Sequence, residues 1–179
     1  NFVFEGTGLY ASDNYFEGGG FGIGVSGGSI VITDNIVNGH TKYNWSYGIG
    51  VAAEGDIKVS EDILISGNHL SDNTFGINIV GSTEYGTRKT PLDVQDITIT
   101  DNVVHDWKTG AVKFSNVTVL DGRMEDNLFG EKFTAPVSNK YSKTDLAGLY
   151  QADNLFIGDI VKPQPVASIV TLTASGDSF

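Results

Sequence analysis

The chain contains no cysteine, only four prolines and one methionine among its 179 residues. Without cysteine, a disulfide scaffold is excluded. Cations are also scarce, with 11 Lys and Arg against 22 Asp and Glu, which gives a formal net charge of −11. A nucleic-acid-binding surface needs clustered cations to neutralise phosphates, so we expect no nucleic-acid partner. No apolar run is long enough to cross a bilayer, so we expect no membrane partner either.

Glycine, by contrast, is abundant, with 23 residues, and aromatic and β-branched residues are plentiful. This composition suits short strands joined by tight turns. No window shows a long helical period, and the best candidate, residues 143–150, is too short to count as a helix. A chain of this length can form one domain with a continuous core. We therefore expect an all-β protein.

One phrase recurs along the sequence: a short alternating apolar run, a turn that ends in Asn, and a second short apolar run. The clearest copies span residues 29–37, 62–70 and 96–104, and weaker copies span residues 9–16 and 149–156. A further copy at residues 117–124 has Gly in place of Asn. The turn residues are Asn14, Asn35, Asn68, Asn102, Gly122 and Asn154. Their spacing indicates a unit of about 20 residues with repeated insertions of about a dozen, as in a solenoid.

Asn and Gly are the residues that most readily adopt the left-handed conformation, so we expect the chain to turn at these positions. Stacked units would align the Asn side chains. The sequence thus predicts a right-handed, single-stranded parallel β-helix of about six coils with an Asn ladder, over residues 1–160. The alternative is a sandwich of unrelated strand-turn-strand segments. Residues 161–179, interrupted by Pro163 and Pro165, are either a C-terminal cap or a linker.

A second phrase alternates with the first, at residues 21–25, 47–51, 75–79 and 110–114. In its first three copies an aromatic residue, Ile and Val are expected on one side of a strand, the inward side, and Gly on the other. Each coil would then have three short strands. The inward positions are expected to include Ile30, Ile32, Ile49, Val51, Ile63, Ile65, Ile77, Ile79, Ile97 and Ile99. Loop lengths vary only around the strand of this second phrase, which predicts that the loops wall a groove there. Since Phe2 and Phe4 already follow the pattern, we also expect either preceding coils or a partner chain to cover the N-terminal end.

The two phrases together resemble the right-handed parallel β-helix superfamily, which includes pectate lyases, alginate lyases, mannuronan C5-epimerases and phage tailspikes. The resemblance extends from Asn1 to about Ile160. It implies a polysaccharide-acting module, part of a lyase or C5-epimerase on uronate-containing polymers, in a secreted or cell-surface protein of a bacterium or phage. It also implies that an anionic polysaccharide lies along one strand stack and its loops. The alternative is a non-catalytic structural or adhesive solenoid, since one fold supports many functions.

On this analogy the groove is lined by the outward row of the second phrase, which contains Gly24, Gly50, Asn78, Lys113 and Lys132. The glycines would form a flat floor, and Lys113 and Lys132 a positive patch. The alternative is that both lysines are solvated charges that block sideways strand pairing. Trp45 and Tyr43, in a flanking loop, would stack on sugar faces. For both Trp residues the alternative is packing of a loop onto the solenoid, which is favoured for Trp107.

No catalytic residue is identified from the sequence. The Asp-Pro-His motif that the resemblance implies for an alginate-type epimerase is absent, and so are the paired Asp residues of galacturonan hydrolases. Either the catalytic coils lie upstream of Asn1 or the solenoid is not an enzyme. His105 beside Asp106 could form an oriented base, although neighbours in a strand face opposite sides. His69 is expected to face outward on another side.

Acidic loop residues could bind Ca²⁺ through oxygen ligands. The candidates are Glu54, Asp56, Glu61 and Asp62, but they form no ligand loop of recognisable spacing. The cofactor prediction is therefore none, or Ca²⁺.

Overall fold

The structure, a computed structural model, describes residues 1–53, 59–81, 92–130 and 144–156. Within these ranges the chain forms sixteen β-strands and no helix, so the expected all-β class is confirmed. The strands pair in parallel throughout and form two curled sheets, one of ten strands and one of six. Lys132, the residues 161–179 and most of the long loops lie outside the described residues.

The large sheet contains the long strands of the repeat. They are β1 (Phe2–Ser12), β3 (Phe21–Thr33), β5 (Tyr47–Ala53), β6 (Val59–Ser66), β8 (Phe75–Gly81), β9 (Leu92–Thr100), β11 (Gly110–Ser115), β12 (Val117–Leu120), β13 (Gly122–Glu125) and β15 (Leu149–Ala152). The small sheet contains the short strands that follow each turn. They are β2 (Tyr15–Glu17), β4 (Ile36–Asn38), β7 (His69–Ser71), β10 (Val103–His105), β14 (Leu128–Phe129) and β16 (Leu155–Phe156).

Strand β3 shows how the large sheet is divided. Its first half pairs with β5, with Ile23 opposite Ile49, and its second half pairs with β6, with Ile30 opposite Ile63. We call the stack of β3 (first half), β5, β8 and β11 the Gly-Ile face. The sequence predicted three short strands in each repeat. The structure adds a fourth segment, formed by the start of β6, the start of β9 and β12. In it Asp93 of β9 lies opposite Val59 of β6 on one side and Thr118 of β12 on the other.

The core lies between the two sheets, and the predicted inward positions are confirmed. Their side chains alternate along the strands, so those on the inner side stack on the same position of the neighbouring strand. All of the following are buried: Ile30, Ile32, Ile49, Val51, Ile63, Ile65, Ile77, Ile79, Ile97 and Ile99. The small sheet adds Val37, Leu70, Val104 and Phe129 to the same apolar cluster.

The predicted row of Asn side chains is present in the described residues, with one correction. Each Asn Nδ2 donates to the Oδ1 of the next Asn, at 2.8 to 3.0 Å, in the order Asn14, Asn35, Asn68, Asn102, Asn127 and Asn154. The position assigned to Gly122 therefore belongs to Asn127. Gly122 instead begins β13, one strand earlier in the repeat, where it lies opposite Leu149.

The residue that turns the chain is also different from the one predicted. The left-handed conformation belongs to the residue before each Asn, for example Asp34 (φ 56°), Gly67 (φ 67°) and Asp101 (φ 55°). Among the described residues, ten of the twelve non-glycine residues with positive φ are Asp, a residue type that tolerates this conformation better than most. Part of the acidic charge of the chain thus comes from Asp residues that form its bends.

Candidate functional site

The register of the Gly-Ile face aligns the residues of the predicted groove. Gly24 lies opposite Gly50, Gly50 opposite Asn78, and Asn78 opposite Lys113. Lys132 lies outside the described residues, so its place in this row stays a prediction. Strands are about 4.8 Å apart, which puts Lys113 roughly 10 Å along the stack from Gly50.

The predicted flat glycine floor is wrong, because aromatic rings cover it. Phe21 and Tyr47 stack with centroids 5.3 Å apart at 22°. A Cβ on Gly24 would lie 3.0 Å from the Tyr47 hydroxyl oxygen and 3.6 Å from Phe21 Cε2. Gly24 and Gly50 are buried as a result. The aromatic residues were expected on the inner side, and they lie on the outer side instead.

The other glycines of the phrase serve packing rather than binding. Strand pairing passes from Phe21 and Tyr47 to Ile23 and Ile49, and so skips Gly22. A Cβ on Gly22 would lie 2.6 Å from the Gly48 carbonyl oxygen, and one on Gly76 would lie 2.6 Å from that of Ala111. Because these glycines have no side chain, the backbone of the adjacent strand can approach them closely.

Tyr43 and Trp45 form a second stacked pair in the loop before β5. Their centroids are 4.7 Å apart at 10°, and Tyr43 is 40% exposed. The loop is fixed by its own polar groups: Tyr43 N donates to Ser46 Oγ at 2.9 Å, and Ser46 N donates to Tyr43 O at 3.1 Å. Thr74 Oγ1 from the next repeat also donates to Tyr43 O, at 3.1 Å. The pair is thus held in a defined position.

Two lysines lie over aromatic rings, one in the Tyr43–Trp45 loop and one on β11 of the Gly-Ile face. Lys42 Nζ is 5.1 Å from the Tyr43 centroid, and Lys113 Nζ is 4.8 Å from the Phe75 centroid. Both distances are in the range of cation–π interactions. We call this surface the aromatic face; it consists of Phe21, Tyr43, Trp45, Tyr47 and Phe75 with Lys42 and Lys113. Of its members, the sequence identified Tyr43, Trp45 and Lys113.

Asn78 lies beside Lys113 but is not the exposed groove residue that was predicted. It is only 4% exposed, and among the described residues its Oδ1 has no hydrogen-bond partner. A buried acceptor without a donor is unfavourable by about 1–3 kcal/mol. Asn78 Oδ1 is closed to solvent in this structure, so a hydroxyl group could donate to it only after a neighbouring side chain moves. The aromatic face itself contains no Asp, Glu or His that could act as an acid or base.

A separate polar cluster lies on the small sheet. His69 Nε2 is 2.7 Å from His105 Nε2, and His105 Nδ1 is 2.7 Å from Asp106 Oδ2. Regular alternation would have placed His105 and Asp106 on opposite sides of the strand, as the sequence suggested. Asp106 has φ 54°, so the alternation ends there and its carboxylate turns back to the imidazole. Burial, and then the neighbouring His105, lower the pKa of His69.

His40 and Trp107 occupy equivalent buried positions in different repeats. His40 N donates to Asn73 Oδ1, and the amides that follow Asn73 and Trp107 bond to the carbonyls of His40 and Asn73. Trp107 is buried in the core, as the packing alternative predicted. Burial chiefly, and also the ammonium of Asn1, lower the pKa of His40, while a contact with the Phe16 backbone acts in the opposite direction.

Two absences concern only the part of the chain that the structure describes. No cluster of three or more His, Asp or Glu residues there could hold a metal ion. No helix there is long and apolar enough to cross a membrane. The Ca²⁺ candidates Glu54 and Asp56 lie outside the described residues, and Glu61 and Asp62 are exposed at the bend of β6.

Comparison with known proteins gives no assignment: no family model matches the chain, and neither a curated protein nor a solved structure does.

Proposed function

We propose that the chain is a right-handed parallel β-helix and that its aromatic face binds an anionic polysaccharide. The fold part of the proposal is supported by the parallel pairing of successive repeats and by the row of Asn side chains. The observation that carries the functional part is the partly exposed, stacked Tyr43–Trp45 pair, which lies against Gly20 at the start of the Gly-Ile face. Such a protein would act outside the cell, either secreted or on the cell surface of a bacterium or phage.

The chemistry of the aromatic face suits a sugar polymer with carboxylates. The C–H faces of a sugar ring pack on aromatic rings, while its hydroxyl groups need hydrogen-bond partners. Lys42 and Lys113 can pair with uronate carboxylates, and Asn78 Oδ1 can accept from a hydroxyl group once a neighbouring side chain moves. Lys42 is exposed, so it can move off the Tyr43 ring to reach a ligand.

The reaction class that we propose for a catalytic form is a uronate lyase or C5-epimerase. Both reactions remove the proton beside a carboxylate, so they need a cation to neutralise that carboxylate and a base close to the proton. Lys113, with Lys132 as predicted, would supply the cation. The aromatic face has no Asp, Glu or His, so a base of that kind would come from outside it.

The second candidate is a structural or adhesive solenoid, and one observation favours it: the aromatic face offers contacts for binding but has no Asp, Glu or His to act as a base. Within the described residues β1 pairs only with β3, and Phe2 and Phe4 are half-buried. Cover of this edge by preceding coils or by a partner chain therefore stays a prediction.

Binding can be tested by titrating the protein with polyuronates and, for comparison, with a neutral glucan. Trp45 is half-buried and Trp107 is fully buried, so the fluorescence of Trp45 reports on the aromatic face while that of Trp107 does not. We expect polyuronate to change the emission at low salt, the change to weaken at high salt, and Trp45→Phe to abolish it. The neutral glucan should bind more weakly.

Variants localise the contact. Tyr43→Ala and Lys113→Ala should each weaken polyuronate binding about 3- to 10-fold, on the scale of a stacking or cation contact. Arg123→Ala is the matched control, because Arg123 is an exposed cation that lies over Tyr150, outside the aromatic face. If the unmodified protein binds no polyuronate at low salt, the binding proposal fails and the structural solenoid is favoured.

A further inference from the structure

Two imidazole rings from consecutive repeats meet on the outside of the small sheet. The Nε2 atoms of His69 and His105 are 2.7 Å apart, and the rings are nearly perpendicular, at 88° with centroids 4.8 Å apart. Asp106 Oδ2 is bonded to the opposite nitrogen of His105. This cluster lies on a different sheet from the aromatic face, so a function of the cluster is independent of the proposed polysaccharide site.

The hydrogen bonds assign the protons of His105. Asp106 accepts from His105 Nδ1–H, so in the neutral ring the Nε2 of His105 carries the lone pair. That lone pair points at the Nε2 of His69. The two Nε2 atoms thus face one point, and neutral imidazole is the form that binds metal ions.

We propose that His69 and His105 bind one divalent transition-metal ion of the Zn²⁺, Cu²⁺ or Ni²⁺ class, with Asp106 orienting His105. Imidazole is a preferred ligand of these ions, whereas Ca²⁺ prefers oxygen ligands. Metal-binding His residues commonly donate their other N–H to a carboxylate, as His105 does to Asp106. His69 would change tautomer so that both Nε2 atoms face the ion.

Metal binding requires only a small increase in the distance between the two Nε2 atoms. A tetrahedral Zn²⁺ with bonds near 2.0–2.1 Å would hold the two nitrogens roughly 3.3 Å apart, about 0.6 Å more than their present separation. His69 is exposed and the His105 side chain is 33% exposed, so both rings can rotate. Gly130 keeps the space beside His105 open, because a Cβ there would lie 2.6 Å from His105 Cβ.

Only two protein ligands are proposed, which agrees with the lack of a larger cluster among the described residues. The remaining coordination positions would hold water. The ion would also join two repeats, because His69 and His105 are 36 residues apart. Binding should therefore raise the thermal midpoint of unfolding by an amount that depends on metal concentration.

The test is calorimetric titration of the chelator-treated full chain with Zn²⁺ and with Ni²⁺. We expect one saturable site, and at least a tenfold loss of affinity in His69→Gln and in His105→Gln. Asp106→Asn should cost about 10- to 100-fold, the usual effect of losing a carboxylate behind a ligating His. These side chains are at least partly exposed, and far-UV circular dichroism checks that the variants keep the fold.

Asp72→Asn is the matched control for charge. Asp72 has φ 49° and occupies the same bend one repeat earlier, since Ser71 lies opposite His105. Its removal should change affinity less than threefold. The proposal is overturned by the absence of saturable binding up to about 1 mM metal, or by binding that survives in the double His variant. Equal losses in Asp72→Asn and Asp106→Asn would also overturn it, since they would indicate only diffuse acidic attraction.

Discussion

Asn68 Nδ2 donates a hydrogen bond of 2.9 Å to Asn102 Oδ1, and both side chains are fully buried. Asn68 N donates to the same oxygen, at 3.0 Å. Asn102 Nδ2 in turn donates to the carbonyl oxygens of Ile65 and Thr100 and to Asn127 Oδ1. One amide group thus satisfies backbone and side-chain groups of three repeats.

Asn102→Ala should accordingly destabilise the protein by about 3 kcal/mol or more, because it leaves several buried polar groups without partners. Urea unfolding measures the change. Asn14→Ala is the control: Asn14 has the same role at the end of the row but is exposed, so water can replace its bonds and about 1 kcal/mol or less should be lost. Equal effects at both positions would contradict a cooperative row.

The left-handed bends give a second prediction. Asp101→Val should destabilise the fold by roughly 1–2 kcal/mol, since φ 55° forces a β-branched residue into a disfavoured conformation. Asp101→Gly should cost much less, because Gly67 occupies the equivalent bend of the preceding repeat. Thermal or urea unfolding of the two variants compares them directly, and a glycine variant as unstable as the valine variant would count against a conformational role for Asp101.

The third prediction concerns close backbone packing on the Gly-Ile face. Gly76→Ala should destabilise the protein by about 1–3 kcal/mol, because the added methyl group meets the Ala111 carbonyl oxygen at 2.6 Å and the Val104 side chain. Gly110→Ala, in the adjacent strand, is the control. A Cβ there would lie 3.6 Å from Phe75 and 3.9 Å from the Val112 carbonyl oxygen, both ordinary contacts, so its effect on the free energy of unfolding should be small. Similar unfolding midpoints for both variants would show that this packing does not limit stability.

The fourth prediction concerns pH. Burial lowers the folded-state pKa of His40 below its ordinary value of about 6.5, so the unfolded chain takes up a proton first as the pH falls. The stability that neutral His40 contributes is complete above about pH 6.5 and is lost progressively as the pH falls toward the lower folded-state pKa. Urea unfolding between pH 8 and 5 measures this loss.

His40→Asn is the matching variant, because Asn73 already occupies the equivalent position one repeat later. It should fold and show a smaller loss of stability on acidification. His69 also has a lowered pKa and adds its own share, so the pH dependence should be reduced rather than removed. An unchanged pH profile in His40→Asn would show that His40 does not titrate in the unfolding transition.

The sequence by itself determined the class of the fold and its core. Alternation of apolar residues at a period of two selects the inward side of each strand locally, so Ile30, Ile63 and Ile97 could be assigned without knowing what they contact. The Asn row was predictable because the same turn with Asn recurs after each apolar run. Asp126-Asn127 matches the Asp-Asn pair of the other turns, and reading that pair instead of the Asn alone would have placed Asn127 and left Gly122 in its strand.

Only the tertiary structure decided the contacts between repeats, because the register of the strands brings together residues that are far apart in sequence. Phe21 and Tyr47 turn outward at a place where pairing skips a glycine, which simple alternation does not anticipate. His105 meets His69 and Asp106 because a left-handed bend ends the alternation at the strand terminus. Alternation determines which side a residue faces only while a strand stays regular, and both candidate sites lie where regularity ends.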